Sequence, residues 1–150
     1  MEGEEIVVPD ASVVVKWFIE DEYTDKADEL RRDYVDQLID IAVPELIYYE
    51  VLNALRYSGV FGEDELTTIG EVLQGFQFLE LPLKGEFLRE TIRRALKHGI
   101  TIYDACYIAV ASIEKGTLYT ADEKLLEKLG GLTNAKHIKE YKSRRTASTD

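Results

Sequence analysis

Apolar and polar positions along this chain alternate between a strand-like and a helix-like period. Residues 5–8, Glu-Ile-Val-Val, read as a first strand. Residues 24–40 set Ala27, Leu30, Tyr34 and Leu38 at helical spacing behind Thr24, a suitable N-cap. Ile41 to Val43 form a short strand stopped by Pro44, which fits the first turn of a helix that turns Leu52 and Leu55 inward and ends at Gly59. A weaker helix follows over 63–76, where Gly70 and Gly75 lower the propensity. Residues 76–81 read as a strand, 85–98 as a helix closed by Gly99, and 101–116 as a helix apolar on most sides, hence central. The pattern closes with a strand over 117–120, a helix ending at Gly130 and a last strand over 135–141. Such alternation predicts an α/β layer fold with a mainly parallel sheet, one domain over 1–141. Residues 142–150 contain no large apolar side chain and are expected to be a disordered tail.

Charge changes the picture. The formal charge is −11, which suits neither a DNA-coating role nor a broad grip on any phosphate backbone. Cys106 is the single cysteine, so no internal disulfide and no cysteine zinc site can form, and His98 and His137 are too few to replace one. The start of the chain is acidic where a secretory signal is basic. No apolar run approaches the roughly 20 residues of a membrane span. The expectation is a cytoplasmic protein with no membrane association.

The chemistry lies in the acids at the strand ends. Asp10 interrupts the apolar run from Ile6 to Phe18, Glu50 lies on the helix after the second strand, Asp104 opens the central helix, and Asp122 follows the strand at 117–120. In parallel sheets, ligands bind outside the carboxyl ends of the strands. Asp10, Asp104 and Asp122 each have a simpler reading as a helix cap or first-turn acid, and Glu50 as an exposed helix residue. Together the four need more, because two carboxylates about 4 Å apart repel by roughly 4 kcal/mol at an effective dielectric near 20. An oxygen-only cluster calls for a hard cation, Mg²⁺ or Mn²⁺ in preference to zinc.

These stretches resemble the PIN domain family, and within it the VapC-type toxins. "DASVVVKWF" resembles the opening D-x-S/T element, "PELIYYEVLNAL" the P-x-L-x-x-x-E-x-x-N element, "TIYDACYIAVA" the D-A-x-Y-x-A element and "LYTADEKL" the T-x-D-x-x-L element. The resemblance covers nearly the whole chain, with the four elements in order. It implies a three-layer α/β/α fold around a five-stranded, mainly parallel sheet. It also implies a metal-dependent endoribonuclease, held inactive by a VapB-type antitoxin and usually built as a homodimer. Asp10, Glu50, Asp104 and Asp122 match the acidic positions, and Ser12, Asn53 and Thr120 the polar ones beside them.

In that reading Asp10 and Asp104 hold the ion most directly, Glu50 and Asp122 orient water or a second ion, and Asn53 fixes Glu50. Ser12 or Thr120 would bond the attacking water or a phosphate oxygen. Setting the four acids aside still leaves Asp and Glu in excess of the 18 Lys and Arg. RNA must therefore be held by local basic patches, for which Lys16, Arg56 and Arg93 are the candidates. A phospho-acceptor receiver domain would need a second acid beside Asp10, where alanine and serine stand. The remaining alternative is a catalytically silent module that binds RNA or a partner.

Overall fold

The computed structural model describes residues 5–146. Five strands, β1 (Ile6–Pro9), β2 (Asp40–Pro44), β3 (Leu79–Leu81), β4 (Thr117–Thr120) and β5 (Ala135–His137), form one sheet in the order β3-β2-β1-β4-β5. Every pairing is parallel, with Val7 opposite both Ile41 and Thr117. Parallel strands need crossover connections, and helices on both faces make a three-layer α/β/α fold. Burial on both faces explains why Ile41, Ala42 and Val43 are all apolar and fully enclosed instead of alternating.

The helices are α1 (Ala11–Val14), α2 (Thr24–Val35), α3 (Leu46–Ser58), α4 (Glu63–Gly75), α5 (Gly85–His98), α6 (Ile102–Ile113) and α7 (Glu123–Leu129). Ala105 to Ala111 of α6 are all buried, as its all-round apolar character predicts, and the helix packs across β1, β2 and β4. The chain runs from β1 outward to β3, then crosses over to β4. The strand order thus reverses beside β1, and the crevice between the carboxyl ends of β1 and β4 is the topological switch point. No helix among the described residues is long and apolar enough to cross a membrane.

Local chemistry shortens three expected elements. The 24–40 helix stops at Val35, because Gln37 takes a left-handed conformation and the Leu38 amide returns to the Asp33 carbonyl. Only Leu79–Leu81 of the 76–81 run are strand, since Phe76 and Phe78 stack on each other and against Trp17. The last strand ends at His137, whose Nδ1 accepts from the Lys139 amide and starts a single 3₁₀ turn.

The tail also departs from expectation as far as it is described. Ser143 Oγ and the Arg144 amide donate to the buried Asp33 carboxylate, which Tyr141 also bonds, and Arg144 pairs with Glu5. Basic residues without apolar neighbours can be ordered by buried acid partners, which composition does not reveal. The expectation of disorder for 147–150 lies outside the described residues.

Gly116, just before β4, sits against β1. A Cβ there would lie 2.6 Å from the Ile6 carbonyl oxygen and 2.8 Å from its Cγ2. Gly116→Ala is therefore expected to push β1 and β4 apart and to cost about 1–3 kcal/mol. A lowered urea midpoint with unchanged circular dichroism is the expected readout.

Candidate active site

Asp10 leaves β1 at the switch point. Its amide donates to the Tyr119 carbonyl of β4, which fixes the turn, and only 7% of the residue is exposed. It stands at the N-cap position of α1 but makes no side-chain cap bond. The carboxylate instead accepts a 2.5 Å bond from Ser12 Oγ. Ser12 in turn accepts from the Ala121 amide at 2.9 Å and lies 3.4 Å from Thr120 Oγ1, while Thr120 accepts from the Asp122 amide. Ser12 and Thr120 thus lace the ends of β1 and β4 together beneath two of the acids.

Glu50 comes from α3 and accepts a 2.6 Å bond from the Tyr107 hydroxyl of α6. Tyr107 is buried, and burial together with the neighbouring Glu50 raises its phenol well above the usual range, so it remains a donor. Asp104 lies in the first turn of α6, whose N-cap Thr101 accepts from the Asp104 amide. Asp122 caps α7, its Oδ1 accepting from the Leu125 amide. One oxygen of Asp122 is therefore committed to the helix.

Charge on one acid is felt at another in three pairs, all of which include Asp104. Burial pushes the Asp10 carboxyl up to about 6, against the Ser12 and Thr120 hydroxyls and the Val13 amide, and Asp104 adds to the rise. The Val13 amide favours the anion without the alignment of a cap bond. Burial also raises Glu50, opposed by Tyr107 and reinforced by Asp104, and it raises Asp104, reinforced by Asp122. Asp104 is thus the middle member of the group. None of the ion pairs among the described residues reaches any of the four acids.

One expected supporting residue, Asn53, and two of the three RNA-contact candidates, Lys16 and Arg93, are placed otherwise than expected. Asn53 is exposed and has no side-chain bond to Glu50; Tyr107 holds that carboxylate instead. The pairing spans 57 positions in the chain, so nothing local in the sequence announces it. Lys16 is no RNA contact: it is 7% exposed, and its Nζ donates to Asp21 Oδ1 and the Glu22 carbonyl, because the turn before α2 needs a buried cation. Arg93 is exposed but already bonded to Glu90 within α5. Arg56 alone of the three is both exposed and without a carboxylate partner among the described ion pairs; its guanidinium stacks on Tyr57.

A parallel sheet whose order reverses beside β1, with the candidate acids on the elements that follow its strands, defines a class of α/β proteins. The chain belongs to the PIN domain family, whose model matches residues 7–132. It is 34% identical over 130 residues to Ribonuclease VapC3 of Pyrobaculum aerophilum, covering 84% of this chain and 96% of that protein. The crystal structure of PAE2754 from the same organism is similar at a TM-score of 0.60 and 25% identity, over 91% of this chain and 85% of that one. A toxin-antitoxin complex from Klebsiella pneumoniae shares the fold at a TM-score of 0.63 and 12% identity, over 86% and 94% of the two chains.

Proposed function

We propose that this chain is a divalent-metal-dependent endoribonuclease, the toxin of a type II toxin-antitoxin pair, acting in the cytoplasm. The observation that carries the reading is Asp10: a nearly buried carboxylate that feels the charge of Asp104, with hydroxyl donors but no basic partner among the described ion pairs. A buried anion of that kind is costly unless a cation joins it. The donor set fits Mg²⁺ or Mn²⁺, since all four acids offer oxygen alone. As they stand, no three of these side chains close on a single point among the described residues. Binding therefore asks the acid side chains to rearrange around the ion.

A bound cation would supply charge for the phosphate and an acidified water. The protein's own groups do the positioning. Ser12 holds Oδ1 of Asp10, Tyr107 holds Oε1 of Glu50, and the Leu125 amide holds Oδ1 of Asp122. Arg56 is the candidate for RNA phosphate.

The similarity to Ribonuclease VapC3 supports RNA as the substrate, and the fold shared with a toxin-antitoxin complex supports an antitoxin partner. A groove of about 500 Å³ lined by Trp17, Phe18, Phe61 and Ile69, with Asp64 and Glu65 at its rim, suits a basic amphipathic helix of that partner. The exposed stripe Leu88, Ile92 and Leu96 on α5 is the face we assign to a homodimer.

Circular single-stranded RNA tests the reading, because only an endonuclease can open it. Linear product is expected with Mn²⁺ and none with a chelator. Binding of the circle without cleavage in any metal would favour the silent RNA-binding module.

A further inference from the structure

Two tyrosines with most of their surface in water stand immediately before two of the acids. Tyr49 precedes Glu50 and is 76% exposed; Tyr103 precedes Asp104 and is 60% exposed. Both line one cavity of about 250 Å³, together with Pro44, Leu81, Phe87, Cys106 and Glu45. Tyr103 lies one helical turn before Tyr107 on the same face of α6, and the Tyr107 hydroxyl touches Glu50. None of the four acids lines the cavity, but the two tyrosines that do are the chain neighbours of Glu50 and Asp104, so it borders the candidate active site. Its volume falls below the roughly 300–1,000 Å³ of sites for drug-sized ligands, which suits one flat heterocycle.

We propose that this cavity is a nucleobase subsite, in which Tyr49 and Tyr103 stack the base of a nucleotide beside the scissile phosphate. The proposal rests on the ribonuclease reading and extends it to base preference. A splayed-out base of single-stranded RNA stacks on aromatic side chains, and its edge is read by hydrogen bonds. The only charged residue lining the cavity is Glu45, an acceptor. An acceptor favours an exocyclic amino group, as on cytosine N4. It disfavours uracil, whose single N–H is flanked by two carbonyl oxygens. The subsite therefore prefers amino-bearing bases to uracil.

The test uses the full chain in chelator, so that nothing is cut, at low salt. Anisotropy titrations compare labelled octacytidylate, octauridylate and an abasic ribose-phosphate octamer. Octacytidylate is expected to bind tightest. Tyr103→Ala should weaken it about tenfold, in line with the ~1–3 kcal/mol of a base-aromatic stack, and leave the abasic octamer unchanged. Tyr103→Phe should restore binding, and Glu45→Gln should bring the cytidine and uridine affinities together.

Three results would overturn the proposal. The wild-type chain could hold the abasic octamer as tightly as octacytidylate. Tyr103→Ala could weaken all three probes alike. Or sedimentation could show Tyr103→Ala splitting a dimer, which would assign the cavity to a second copy of the chain. Failure of the ribonuclease reading looks different: the wild-type chain cuts no RNA in Mn²⁺, while the base preference and its loss in Tyr103→Ala persist.

Discussion

Asp10→Asn is expected to abolish RNA cleavage and, in chelator, to make the protein more stable. Burial holds the Asp10 carboxyl at about 6 in the folded chain, against 3.8 for a free aspartate. Between those values the folded state keeps a proton that the unfolded state has lost. Stability conferred through this group is therefore full below about pH 4 and falls as pH rises through about 6. Above that, the ionised side chain costs on the order of 3 kcal/mol. Asparagine has nearly the same shape, can still accept from Ser12 Oγ, and carries no charge to bury. At neutral pH without metal the variant should gain most of that cost, while near pH 4 it should match the parent. Urea unfolding at both pH values measures the difference. The same substitution removes a ligand from a site asked to supply several kcal/mol to the transition state, so cleavage should fall on the order of a hundredfold or more. A less stable variant at neutral pH would mean that Asp10 is already compensated within the fold.

Asp104→Asn is expected to be as damaging to cleavage and to alter the other acids as well. Asp104 raises both Asp10 and Glu50, and is itself raised by Asp122. Removing its charge should lower the titration midpoints of Asp10 and Glu50 together, without touching either residue. Side-chain carboxyl ¹³C shifts followed against pH measure this directly. Unmoved midpoints in both would show that the acids do not share one field, and a common cation would lose its basis. A variant that cleaves at the parent rate would remove Asp104 from the site.

The alternation of apolar periods was enough to read the layered fold, and the acids at strand ends supply the candidate site. Both signals are local in the chain: a buried parallel strand is apolar throughout, and a crossover helix is long enough to show its face. What the sequence hid was tertiary. Lys16 reads as a free cation beside a motif acid, yet it turns inward to bond Asp21 and the Glu22 carbonyl. Asn53 shares a helical face with Glu50 in sequence terms, but the hydroxyl that holds Glu50 comes from Tyr107 on another helix. The segment 142–146 has the composition of a free tail and is instead tied down by Asp33, more than a hundred positions away. For Glu50 and for the tail a partner far along the chain decides the role, and no window of neighbouring residues contains it, whereas Lys16 is turned inward by a local bend whose acids lie five and six positions on.

The central claim is that the acids at the switch point form one cation site. Calorimetric titration of the chain with Mn²⁺ at about pH 6 and again near pH 8, in buffers of different ionisation enthalpy, tests it most directly. The prediction is saturable binding at both, with protons released at the lower pH, where Asp10 is still partly protonated, and few at the higher. Binding should be lost in Asp10→Asn and in Asp104→Asn. Mn²⁺ binding of equal strength in both variants, or none in the parent chain, would contradict the account.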